Sequence, residues 1–162
     1  MLHVVTCGDI AVLANCKSLS VFVAEKCSGI TGDIAVFQHT PMATIIHVHG
    51  TGVTGDIAVF QHTPMATIIH VHGTGVTGDI AVFQHTPMAT GIDVSSTHIT
   101  GDIAALANCK SLSVFIAHNC RGVTCDIAVF QHTPMATNIG VSETGVTGDI
   151  AVFQHTPKAV HR

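Results

Sequence analysis

The 162-residue chain fits one domain, is 47% apolar and only 10% charged, and has Phe as its sole aromatic type; such a composition argues against disorder. Six Lys and Arg against ten Asp and Glu give a formal charge of −4, so no basic footprint for nucleic acid exists at neutral pH. Thirteen His add a pH lever: full protonation would carry the charge from −4 to +9.

The first stretch, MLHVVTCGDIAVLANC, has no basic leader, and Asp9 interrupts its apolar run. A signal peptide is therefore not expected, and no apolar run reaches the ~18 residues of a membrane span. From Gly8 onward one triplet, GDI, organises everything. It opens copies at Gly8, Gly32, Gly55, Gly78, Gly101, Cys125 (as CDI) and Gly148, in steps of 24, 23, 23, 23, 24 and 23 residues. Gly32–Thr54 recurs letter for letter at Gly55–Thr77. A unit of that length cannot bury a core alone, so the copies must stack. The chain reads as a single array over residues 1–162.

Each copy follows one grammar. In the second, DIAVF is short and apolar, and Pro41 in QHTPM limits any helix there to about one turn. ATIIHVHG then alternates, with Ile46 and Val48 on one side and Ile45, His47 and His49 on the other, which predicts a short half-buried strand. GTGVTG closes the copy as a turn. The expected core is Ile34, Phe37, Ala43, Ile46, Val48 and Val53 with their equivalents. Ala43, Ala66, Ala89 and Ala136 underfill it, and the adjacent Met42, Met65, Met88 and Met135 are expected to compensate in part. The Asp rank (Asp33, Asp56, Asp79, Asp102, Asp126, Asp149) is expected to stack like charges. The six Cys form no CxxC pair and no zinc-finger spacing. They read as reduced, core-filling thiols, which favours an intracellular protein.

The first and fifth copies space Leu13, Cys16, Leu19, Phe22, Ala24, Cys27, Ile30 and Leu106, Cys109, Leu112, Phe115, Ala117, Cys120, Val123 alike. This pattern resembles the leucine-rich repeat, LxxLxLxxN/CxL, in its plant-type form. Cys27 and Cys120 occupy the N/C position, Thr51, Thr74, Thr97 and Thr144 occupy it elsewhere, and ITGDI and VTGDI match the LxGxI segment. The chain departs from the family in having few Leu, no bridging Asn, and Ala after the GDI isoleucine. The resemblance implies a right-handed curved solenoid with a parallel β-sheet on the concave face and irregular or short 3-10 segments on the convex face. No capping element is visible at either end, so the array reads as a fragment of a longer one or as a unit that self-associates end to end.

On such a solenoid the concave face carries three rows. The first is apolar: Val21, Ile45, Ile68, Val114. The second runs Val23, His47, His70, Asp93, Ile116, Gly140, and the third Glu25, His49, His72, Ser95, His118, Ser142. This mixed surface suits a protein or peptide partner, and a non-enzymatic interaction module is the leading reading. Three alternatives stand beside it. His47, His49, His70 and His72 form a compact grid whose imidazoles suit Zn²⁺, Cu²⁺ or Ni²⁺, with Asp93 or Glu25 in support. The regular Thr rank (Thr31, Thr54, Thr77, Thr100, Thr124, Thr147) raises an ice-binding solenoid. A purely structural fragment is the third.

Two apparent motifs carry nothing. GTGVTG matches G-x-G-x-x-G, yet Pro64 follows Gly55 too soon for the helix a dinucleotide needs. Asp93, Ser95 and His98 lack an oxyanion hole and a nucleophile elbow, so no catalytic residue is assigned.

Overall fold

The computed structural model describes residues 7–155 and 160–161. Its elements alternate in a fixed order: strand, 3-10 helix, strand, repeated along the chain. Two seven-stranded parallel sheets result. The histidine-bearing sheet contains Val21–Val23, Ile45–His47, Ile68–His70, Gly91–Asp93, Val114–Ile116, Asn138–Gly140 and Val160–His161. The aspartate-bearing sheet contains Cys7–Asp9, Gly29–Asp33, Gly52–Asp56, Gly75–Asp79, His98–Asp102, Gly122–Asp126 and Gly145–Thr147.

The second sheet corrects the sequence reading, which placed a turn at GTGVTG. Val53, Val76 and Val123 point into the core with no exposure, while Thr54, Thr77 and Thr124 face out. The alternation is only three or four residues long and is broken by Gly. Stacked copies nevertheless supply lateral backbone hydrogen bonds along the whole array, and these turn a weak strand into a real one.

The GDI triplet acts at the junction of strand and helix. Asp33 is the N-cap of the 3-10 helix Ile34–His39, with β-region dihedrals and Oδ1 accepting the Ala35 N–H at 2.8 Å. Asp9, Asp56, Asp79, Asp102, Asp126 and Asp149 do the same at 2.7–2.8 Å. Each cap satisfies one orphan N–H and sets a negative charge at the positive end of a helix. The helix stops at Thr40, just before Pro41. The helices Ile10–Asn15 and Ile103–Asn108 stop at the same place without a proline, so Pro41 reinforces the end and does not set it.

The expected stacking of Asp side chains does not occur. Strands of the aspartate-bearing sheet are offset by two residues per copy. Asp33 therefore lies beside Thr54, and Thr54 lies beside Gly75. Successive Asp residues are displaced two residues, about 6.6 Å, along the strand as well as one strand across.

The preceding glycine has a separate duty. Gly55 has φ +104°, and a Cβ there would collide with Asp33 Oδ1 of the copy before. Gly32, Gly78, Gly101 and Gly148 repeat this geometry at φ +106° to +115°. Cys125 alone departs from it, holding a side chain at φ +119°.

The core is the expected one. Ile34, Phe37, Ala43, Ile46, Val48 and Val53 are fully buried. Methionine is the error: Met42, Met65, Met88 and Met135 are 47–61% exposed. Each follows Pro and faces outward while its neighbouring Ala turns in, so Met cannot fill the space. The Phe rank takes that role, with Phe60 and Phe83 stacked at 6.1 Å and Phe22 against Phe37 at 5.8 Å. The thiols are mixed. Cys109 and Cys120 are buried, Cys7 is exposed and the others are intermediate. Burial pushes the Cys109 thiol up to about 11.

Hydroxyls tie the copies together. Thr44 donates to Ser20 O, Thr67 to Thr44 O, Thr90 to Thr67 O, Ser113 to Thr90 O and Thr137 to Ser113 O, at 2.8–3.2 Å. Copy length follows a second hydroxyl. In 23-residue copies Thr51, Thr97 and Thr144 each donate to a carbonyl three residues back at 2.6 Å. Each also accepts an N–H two residues on, at 3.2–3.4 Å. In the two 24-residue copies a Cys stands there. The loop takes one more residue, and the Cys27 and Cys120 carbonyls accept Ile30 N and Val123 N at 2.9 Å instead.

Candidate binding face and histidine grid

The histidine-bearing sheet keeps its copies in phase. Ile45 pairs with Ile68 and His47 with His70, while Val23 pairs with His47 and His70 with Asp93. Backbone bonds extend the ladder past the strands: Lys26 N to His49 O, Gly50 N to His72 O, Gly73 N to Ser95 O, Ser96 N to His118 O and Asn119 N to Ser142 O. The three rows read from the sequence are therefore real rows. Val21, Ile45, Ile68 and Val114 are half-buried, with Gly91 interrupting the line. In the second row Ile116 and Asp93 are half-buried, and Val23 is 42% exposed. Gly140 leaves room for the His118 ring, which a Cβ would strike.

The His47 and His70 rings stack at 4.4 Å with planes 14° apart, and His49 stacks on His72 at 4.2 Å and 14°. Neighbours along a strand are tilted instead: His47 to His49 by 56° at 6.3 Å, and His70 to His72 by 55° at 6.2 Å. A carboxylate brackets the quartet on each side. Glu25 Oε1 accepts from His47 Nδ1 at 2.9 Å. Asp93 Oδ2 lies 3.1 Å from His72 Nδ1, but out of line for a hydrogen bond. Ser95 sits beyond Asp93, whose Oδ1 accepts the Ser95 N–H. His118 meets Ser142 Oγ through Nδ1 at 2.5 Å. His47 Nε2, His49 Nδ1, His72 Nδ1 and Ser95 Oγ are buried without a hydrogen-bond partner. The sequence reading put Glu25 in support of the grid; that it meets His47 through Nδ1 depends on side-chain rotamers across two strands.

Burial first, and then the facing His72 imidazole, lower the His49 pKa; burial and His47 lower that of His70. Glu25 opposes the shift at His49 and Asp93 opposes it at His70. The bond from His47 lowers Glu25. In the unfolded chain the two His titrate near 6.5, so just below that pH the unfolded state holds more protons and stability falls with pH. The fall is complete once pH passes their lowered native values. Glu25 adds stability above its unfolded value that is lost as pH drops through its lowered native one. The denaturation midpoint should thus hold steady above about pH 7 and fall as pH drops below about 6.5. His70→Gln should flatten that fall; an unchanged slope would contradict the assignment.

The outer face of the aspartate-bearing sheet presents the Thr rank. Its two-residue stagger gives every Thr of the rank except the terminal Thr147 an Asp on one side and Gly or His on the other. Among the described residues it contains no in-register row of Thr.

Strand and 3-10 helix, repeated in phase around a core of Ile, Val and Phe, make a curved leucine-rich-repeat solenoid. The leucine-rich-repeat ectodomain of the receptor kinase SOBIR1 from Arabidopsis thaliana is similar at TM-score 0.66 and 12% identity, over 72% of this chain and 65% of that one. The ectodomain of the Arabidopsis receptor kinase HAESA, in complex with an N-terminally extended IDA peptide hormone ligand, is similar at TM-score 0.68 and 14% identity, over 82% of this chain and 23% of that one. A plant ice-binding protein is similar at TM-score 0.67 and 14% identity, over 96% of this chain and 60% of that one. The chain thus spans less than two thirds of each of these proteins. No family model and no curated protein matches the sequence. Among the described residues no helix is long and apolar enough to cross a membrane.

Proposed function

We propose that the chain is a non-enzymatic interaction module that binds a peptide or protein partner on its concave strand face. The observation that carries this reading is the three-row surface itself. A half-buried apolar row (Val21, Ile45, Ile68, Val114) runs beside polar rows of His47, His70 and Asp93 and of Glu25, His49, Ser95 and His118. Apolar anchors flanked by satisfied and unsatisfied polar groups are what a peptide needs for affinity and register. The peptide seated on the HAESA ectodomain supports the same reading by analogy of fold.

A random peptide library displayed on phage and selected on the full chain tests it. Enriched peptides should lose at least about tenfold in affinity to Ile68→Lys, a loss of about 1.4 kcal/mol. They should be indifferent to Gln61→Lys on the helix side, with both variants shown to melt like the parent. Peptides equally indifferent to Ile68→Lys would remove the concave face from the proposal.

A further inference from the structure

We propose that Glu25, His47 and His49 form a binding site for a divalent transition-metal ion, with Zn²⁺ as the ion best matched. This narrows the four-imidazole grid to one corner of the face and replaces two of its rings with a carboxylate. One ligating atom from each of the three residues lies within 4.8 Å of the others, and no other trio of such side chains among the described residues meets that condition.

The ring orientations explain the choice. A nitrogen lone pair lies in the plane of its imidazole. The planes of His47 and His70 are 14° apart, and so are those of His49 and His72, so lone pairs in each stacked pair run side by side. His47 and His49 are tilted by 56°, and tilted rings can aim at one point. Glu25 closes the third side from the neighbouring strand, 2.9 Å from His47 Nδ1. Two imidazoles and a carboxylate are a recurrent zinc ligand set that leaves a fourth position open.

A second observation points to a ligand. His49 is only 9% exposed, and its Nδ1 is buried with no partner. A buried ring nitrogen left unpaired costs free energy that a bound ion would remove. The backbone around the site is fixed by the Ala24 N to His47 O and Lys26 N to His49 O bonds, so the two strands present their ligands from a rigid frame.

Titration calorimetry of the full chain with ZnCl₂ tests the site. The expected result is one ion per chain with Kd at or below about 1 μM. Glu25→Gln and His49→Gln should each weaken binding at least about tenfold. His70→Gln and the helix-side His62→Gln should leave it within about threefold. Glu25 is exposed, so Glu25→Gln reads the site even if His49→Gln unfolds; zinc-free melts of every variant establish which are folded. Three results would overturn the proposal. One is no heat at all. Another is several weak ions whose number falls with any His variant, meaning adventitious binding by surface imidazoles. The third is loss in His70→Gln without loss in Glu25→Gln, which returns the site to the four imidazoles.

Discussion

Replacing Phe83 with Ala is expected to cost the fold about 3–5 kcal/mol. The ring is fully buried and stacks on Phe60 of the preceding copy at 6.1 Å. Its surroundings cannot collapse into the hole, because the neighbouring core positions Ala66 and Ala89 are already small and fully buried. In a stacked array stability is roughly a sum of copies and the interfaces between them. A hole at a central interface should therefore weaken the coupling of the two halves as well as the total. Guanidinium unfolding followed by circular dichroism should show a lower midpoint and a shallower transition. Met88→Ala, at a side chain 49% exposed, should stay within about 0.5 kcal/mol of the parent. A Phe83→Ala loss as small as that of Met88→Ala would mean that the Phe rank does not hold the core.

Cys125→Gly is expected to raise stability by about 1–3 kcal/mol, the cost of holding a side chain in a backbone region that favours glycine. Cys125 has φ +119°, and the equivalent Gly8, Gly32, Gly55, Gly78, Gly101 and Gly148 lie between +104° and +136°. At most of these positions a Cβ would strike the capping Asp of the copy before. Cys125 recovers part of the strain through a hydrogen bond with Asp102, which lowers the Asp102 pKa and raises that of the thiol. Asp102 still caps its helix at Ala104 N, 2.7 Å away. Comparing Cys125→Gly with Cys125→Ala separates the two effects. Alanine removes the thiol bond but keeps the strained backbone, so it should not stabilise. Equal midpoints for parent and Cys125→Gly would show that the bond to Asp102 fully offsets the backbone cost.

Legibility in the sequence followed the strength of the pattern. Within ATIIHVHG the five residues Ile45 to His49 alternate and recur in phase, so the in-phase rows of the histidine-bearing strands and the core positions Ile46 and Val48 could be assigned before any coordinates. GVTGD alternates for only a few residues and contains two glycines; its strand exists because neighbouring copies complete its hydrogen bonds, which a single copy does not disclose. The Asp caps had an available signal, an Asp directly before an apolar run, but counting like charges at equal spacing hid it. The error lay in assuming that equal sequence spacing means equal lateral position. That holds for His47 and His70 but fails for Asp33 and Asp56, where the sheet is offset by two residues. Ring stacking and the reach of Glu25 to His47 depend on rotamers, which no spacing encodes.

The Thr51-type hydroxyl and the Cys27-type carbonyl close the same turn with loops of different length, and that has a consequence for how such an array can be rearranged by recombination. From the capping Asp to the end of the concave strand, long and short copies have equal lengths, so an exchange anywhere in that interval leaves every later copy in phase. An exchange inside the turn does not. It would give a thiol to the short loop, which needs a hydroxyl to accept an N–H, or a hydroxyl to a loop with one residue too many. The stretch from Thr51 to Gly52, or from Cys27 to Gly29 in a long copy, is thus a seam that shuffling must respect. The difference between 23 and 24 residues is inherited as one indivisible package of side chain and loop length.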